Sequence, residues 1–182
     1  QDRLATVQRH FDHSAALFCL TAQASDAMAE SGKTGAPVLR VEANQAWLGG
    51  YGRIAAAGML PLEPESLDLA VSLLTLHEIN DLPGMLIQIR RALRPDGLFI
   101  AALPGAGTLE ELRESLLVAE IETSGGATPR IAPFVDVRDA GGLLQRAGFT
   151  LPVADVEKII VRYDSMLNLC ADLRAMGATN VL

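Results

Sequence analysis

Runs and alternations of apolar residues divide the chain into elements. Residues 15–21 (AALFCLT) form a short continuous apolar run, the pattern of a strand buried on both faces beneath covering helices. A short helix capped by Ser25 is predicted over residues 25–30, residues 32–37 break it, and residues 38–43 supply a second buried strand. The glycine-rich LGGYGR that follows Trp47 reads as loop, and residues 54–57 as a weak third strand. Residues 67–76 (LDLAVSLLTL) carry the clearest strand pattern. Asp81 then caps a helix with Pro83 in its first turn. Its apolar positions Leu86, Ile89, Ala92 and Leu93 share one face, and Arg94, Pro95, Asp96 and Gly97 stop it.

Residues 98–103 read as the next strand, and residues 108–122 as a helix on which Thr108 and Glu111 have capping-box spacing. Residues 123–134, with two glycines and two prolines, read as loop, and residues 137–147 as a helix stopped by Gly148. Residues 153–163 alternate partly, like a strand, and residues 164–176 form a last amphipathic helix. Strands alternating with helices imply an α/β fold: an open, doubly wound, mostly parallel sheet in a single domain spanning residues 1–182.

A chain of 182 residues, 49% hydrophobic and 20% charged, is long enough to bury one sizeable core. Its net charge of −7 offers no footprint for a phosphate backbone, so no nucleic-acid partner is expected. The apolar runs fall well short of the ~20 residues that cross a bilayer, so no membrane span is expected. Cys19 and Cys170, far apart inside apolar segments, suit buried thiols in a reducing compartment, cytoplasmic or matrix-like. Residues 1–8 show neither a start methionine nor a signal pattern, and the expectation is that the beginning of the protein is missing.

In a doubly wound sheet, ligands bind beyond the carboxyl ends of the strands, so the loop after the first strand decides cofactor chemistry. Here that loop is Thr21, Ala22, Gln23 and Ala24, none of them the glycine that lets backbone approach a nucleotide. Glu42, at the end of the second strand, is placed either to accept hydrogen bonds from ribose hydroxyls or to stand as a solvated carboxylate. The strongest polar cluster is SLLTLHEIND, residues 72–81. His77 there is either a general base or a group that orients substrate, with Glu78 holding its tautomer or binding a cationic substrate, or else a histidine packed against the sheet. His10 and His13 lack further metal ligands and read as a solvated face, so no metal is expected. Arg90, Arg91 and Arg94 complement a helix C-terminus.

From Leu60 to Gly177 the chain resembles one methyltransferase family, through LPLEPESLDLAVSLLTLHEINDLPGMLIQIRRALRPDGLFIAALPGAGTLEELRESL and GGATPRIAPFVDVRDAGGLLQRAGF. The family is that of the complex I assembly factors with a methyltransferase fold and their bacterial relatives. A more distant likeness, through ALRPDG, TLEELR and the final helix, is to the malonyl-acyl-carrier-protein methyltransferases of biotin synthesis. The resemblance implies a Rossmann-like class I fold, here without its last strand, and S-adenosylmethionine as cofactor. The mitochondrial members are regarded as arginine hydroxylases.

By position, the resemblance makes Glu42 the ribose acid, and sets Leu76, His77 and Asn80 near the transferable methyl group. Thr108, Glu111 and Arg113 would belong to a helix covering the site. It also marks departures: residues 21–25 replace an acidic, glycine-rich turn, Ala56 replaces the Asp that would hold adenine, and Glu78 replaces a Trp. Two readings follow. One is an S-adenosylmethionine-dependent methyltransferase in which Thr21, Ala22, Gln23, Glu42, Ala56, Leu76 and Asn80 line the cofactor and His77 and Glu78 face substrate. The other is a non-catalytic or cofactor-independent assembly protein that holds a protein partner through the covering helix and residues 123–134. A hydroxylase variant would need a metal set of which His77 and Glu78 supply only part.

Overall fold

The computed structural model describes residues 2–55, 58–126 and 128–177 and divides into two compact units. The first draws on residues up to 104 together with 138–153, the second on 105–137 and residues from 154 onward.

The first unit is built on five parallel strands in the order β3-β2-β1-β4-β5. These are β1 (Ser14–Leu17), β2 (Leu39–Glu42), β3 (Arg53–Ile54), β4 (Leu67–Leu73) and β5 (Leu93–Ala102). All four residues of β1 are buried, as the continuous apolar run predicts for a strand covered on both faces. Side chains alternate across a strand, and here they feed two separate cores. Ala15, Leu17 and Ala70 pack with Val41, Met85 and Ile89 on one face. Ala16, Leu69 and Val71 pack with Phe11 and Met28 on the other. Helix α1 (Asp2–Ala5) places Leu4 in the second of these cores, as α2 (Gln23–Glu30) does Met28. A third helix, α3 (Gln45–Leu48), follows β2, and α4 (Leu82–Ala92) buries Met85, Leu86, Ile89 and Ala92.

Several boundaries differ from the expectation. Helix α2 begins at Gln23 after an N-cap at Ala22, and Ser25 lies inside it, its hydroxyl donating to the Ala22 carbonyl at 2.7 Å rather than capping. Strand β4 ends at Leu73. Its ladder with β1 reaches only Ala16↔Val71, after which Leu74 turns left-handed and a 3-10 turn occupies Leu76–Glu78. Helix α4 stops at Ala92 rather than at the Arg94–Gly97 turn, because β5 starts directly at Leu93. The turn residues are absorbed as an irregularity between the pairs Leu67↔Leu93 and Leu69↔Leu98, with Asp96 at φ 63°. The Asp81 cap forms as expected, accepting from the Gly84 amide at 2.8 Å.

Asp68 fixes the opposite end of the sheet. It accepts from the His13 amide at 2.9 Å and from the Arg94 guanidinium at 3.1 Å. Burial pushes its carboxyl upward, but the His13 amide and the Arg94 guanidinium together outweigh that and hold it below the ordinary aspartate value.

The second unit contains α5 (Glu110–Ser124) and α7 (Met166–Ala175). Helix α6 (Val137–Arg146) begins in the second unit with Val137 and runs on in the first. The expected capping box is not formed. Leu109, at φ 57°, is the N-cap, with no side-chain cap bond, which leaves Thr108 one residue outside the helix. None of the fifteen residues of α5 is buried, and the apolar Leu117, Val118 and Ile121 lie exposed along it. The helix runs two residues into the predicted loop before Gly125, at φ 67°, ends it. Residues 153–163 pair with no strand among the described residues, so the expected strand is not formed. Alternation there does not select one face, since Val156, Ile159, Ile160 and Val161 are all exposed.

Candidate functional site

The carboxyl ends of β1, β2 and β4 carry the candidate residues. The chain leaves β1 through Phe18 and Leu20, both in the left-handed region at φ 54° and 59°, a conformation that costs L-residues roughly 1–2 kcal/mol each. Surrounding bonds hold this turn. The Phe18 amide donates to the Val41 carbonyl at 2.7 Å, and the buried Thr75 hydroxyl donates to the Phe18 carbonyl. Beyond it, Thr21, Ala22 and Gln23 are exposed at the start of α2.

Glu42 ends β2 and is completely buried. One carboxylate oxygen accepts from the Cys19 amide at 3.2 Å and from the Arg40 guanidinium at 3.1 Å, and the other accepts from the Leu20 amide at 3.2 Å. Arg40 and Glu42 are two apart on β2 and so project from one face. The same guanidinium donates to the Leu48 carbonyl at 2.5 Å and the Trp47 carbonyl at 2.9 Å. Those carbonyls are presented by α3, which Asn44 caps by accepting from Ala46 and Trp47 amides. Strand β3 then passes closely: a Cβ on Gly52 would stand 2.5 Å from the Arg40 carbonyl oxygen. Cys19, in the same turn, has its thiol pushed up to about 11, mainly by burial.

The end of β4 has a different character. Leu76 is buried and packs into the core with Met85, His77 is half-buried, and Glu78 and Asn80 are exposed. His77 Nε2 stands 3.9 Å from Glu78, too long for a hydrogen bond. Burial lowers the His77 pKa, against a smaller opposing pull from Glu78, so the imidazole is neutral at pH 7. A neutral, partly accessible imidazole beside a carboxylate has the chemistry to accept a proton. Ala56 lies outside the described residues. Sequence reasoning missed Arg40 and Thr75. The signal for Arg40 was a cation inside an apolar strand run, which is buried only when paired.

Residues 16–101 match the family described as methyltransferase domain. The chain is 46% identical over 121 residues, 66% of its length, to the mitochondrial arginine-hydroxylase NDUFAF5 of Dictyostelium discoideum, and covers 28% of that protein. It is 43% identical over 121 residues, again 66% of its length, to the malonyl-[acyl-carrier protein] O-methyltransferase of Laribacter hongkongensis, covering 39% of it. The chain therefore spans well under half the length of these relatives. An S-adenosylmethionine-dependent methyltransferase from Mesorhizobium loti superposes with a TM-score of 0.59 at 18% identity, over 97% of this chain and 89% of that one, which speaks for the fold.

Fold and family imply S-adenosylmethionine as the general ligand, and the β1 and β2 strand ends do not fit it. Glu42 presents no exposed atom to a ribose, both of its oxygens are engaged within the chain, and the turn that would pass the ligand carries the side chains of Phe18 and Leu20 where glycine gives room. What the sheet order, the domain match and the relatives establish together is that this chain carries a methyltransferase-family domain of Rossmann-like, class I fold.

Proposed function

We propose that this domain acts as a cofactor-independent assembly or interaction module of the complex I assembly type, working through a protein partner rather than by methyl transfer at the β1 and β2 strand ends. The observation that carries this reading is Glu42: its carboxylate is fully buried, with no exposed atom to meet a ribose, and already accepts three hydrogen bonds from within the chain. The second unit supplies the complementary surface. A cleft of about 250 Å³ lies between α5 and the loop after it, lined by Arg113, Leu116, Leu117, Pro129 and Ile131. Exposed apolar residues grouped on one helix face suit a macromolecular partner. The mitochondrial relative and the two unpaired cysteines favour a matrix or cytoplasmic setting.

The test is calorimetric titration of S-adenosylmethionine into the protein, with a thermal-shift measurement beside it. No heat and no shift are expected. A ligand present at 100 times its dissociation constant would add about 2.7 kcal/mol to the fold that binds it, so micromolar binding abolished by Glu42→Ala would overturn this reading. A second reading is favoured by the open cluster at the end of β4. In it the domain is an S-adenosylmethionine-dependent methyltransferase, His77 accepts a proton from the methyl acceptor, Glu78 steadies the imidazole, and Thr21, Ala22, Gln23, Leu76 and Asn80 line the site. Catalysis there would come from proximity and alignment, and micromolar binding in the same titration would support it.

A further inference from the structure

The unusual partner at the strand ends is Arg40. A carboxylate removed from water needs compensation on every side, and in Glu42 the two loop amides supply only part of it. The rest comes from a guanidinium on the same strand, two residues away, with its other donors already set by the Trp47 and Leu48 carbonyls. Three points make this more than a chance ion pair. Arg40 is itself nearly buried, at 9% exposure. Its Nε is sealed in without a hydrogen-bond partner among the described residues, so the group is positioned by its two terminal nitrogens. And Gly52 allows β3 to pass against the Arg40 backbone, where a side chain would collide with the Arg40 carbonyl.

We propose that Arg40 takes the place a cofactor's ribose would occupy: its guanidinium satisfies Glu42 and ties it to the Trp47–Leu48 turn, so a side chain closes the β1 and β2 strand ends. This deepens the cofactor-independent reading and rests on it. A vicinal diol that engaged both oxygens of the buried Glu42 would have to compete with the Arg40 bond on one of them and open the Cys19–Leu20 turn to reach the other. Arg40 is thus a positioning residue that determines what the site excludes.

The chain's single tryptophan, Trp47, accepts through its carbonyl from Arg40 and is partly exposed, so its emission reports the state of the brace. Arg40→Met keeps the apolar stem and removes the donors. It is expected to release the Trp47 turn, read as a red-shifted emission and at least about a twofold rise in acrylamide quenching. Arg40→Met combined with Leu20→Gly frees both the acceptor and the turn, and is expected to bind S-adenosylmethionine measurably, about tenfold or more above the detection limit at which the unaltered chain gives no heat. Because removing one charge of a buried pair endangers folding, Arg40→Met/Glu42→Gln, which removes both, serves as the folded control. It is expected to show the Trp47 change without the gain in binding, since the ribose acceptor has lost its charge. Micromolar binding by the unaltered chain would overturn both the brace and the cofactor-independent reading. An unaltered chain that does not bind, with a double variant that neither gains affinity nor changes Trp47 emission, would overturn the brace alone.

Discussion

The ends of β2 and β4 are neighbours in kind: each is the carboxyl end of a parallel strand, each carries an acidic residue, and each lies where such sheets bind ligands. Glu42 is sealed, and Glu78 stands open with 48% of its side chain exposed. The difference comes from supply. Two amides and a guanidinium converge on Glu42, whereas among the described residues the Glu78 carboxylate has only a distant imidazole. Position at a strand end names where a carboxylate sits, and its donors decide whether it is an acceptor for a ligand or a fastening within the fold.

The contrast is broken most directly by truncation. Glu42→Ala leaves the Arg40 charge buried and alone and is expected to cost about 3–5 kcal/mol, whereas Glu78→Ala should stay within about 0.5 kcal/mol, both read from urea unfolding. Comparable costs would mean that the sealed carboxylate contributes nothing special. Thiol labelling asks the same question without a mutation. With its thiol pushed up to about 11, the buried Cys19 should react roughly a hundredfold or more slowly than the half-buried Cys170 in the native protein, the two converging in denaturant.

Acid probes the β4 side. The fold lowers the His77 pKa, so the unfolded chain takes up the proton first as pH falls below ~6.5. The contribution of a neutral His77 is therefore fully present above that pH and is lost as pH drops toward the folded value. In His77→Gln the corresponding slope of stability against pH should flatten, and an unchanged slope would refute the assignment. The smallest effect is expected at Ser72 on β4, whose buried hydroxyl lacks a hydrogen-bond partner among the described residues. Ser72→Ala should be neutral or stabilising by up to about 1 kcal/mol in the same unfolding assay.

Much of the first unit was legible because its strands are buried on both faces. The apolar runs of β1, β2 and β4 need no partner information to be recognised, and Asp81 with Pro83 marked the start of α4. The missing glycine at Thr21 and Ala22 was equally visible. Where the outcome depended on contacts distant in sequence, the pattern was silent. Arg40 acquires its meaning from carbonyls seven and eight residues on and from amides in another strand's turn. The start of β5 at Leu93 overrode an apparent helix stop because pairing with β4 outweighs local turn preference. Residues 153–163 have strand composition, and composition alone supplies no neighbouring edge.

The sheet order also sets a timetable for synthesis. Strand β1 is central, flanked by β2 and β4, and Ala15 pairs with Leu39 on one side and Ala70 on the other. Of the five strands β1 is the first to be made, yet its second edge stays open until residues near 70 have followed. Parallel pairing admits no short hairpin that would hasten this. Until then the growing chain carries an apolar strand with one edge uncovered, so the segment around β1 offers a nascent-chain chaperone a long opportunity to bind.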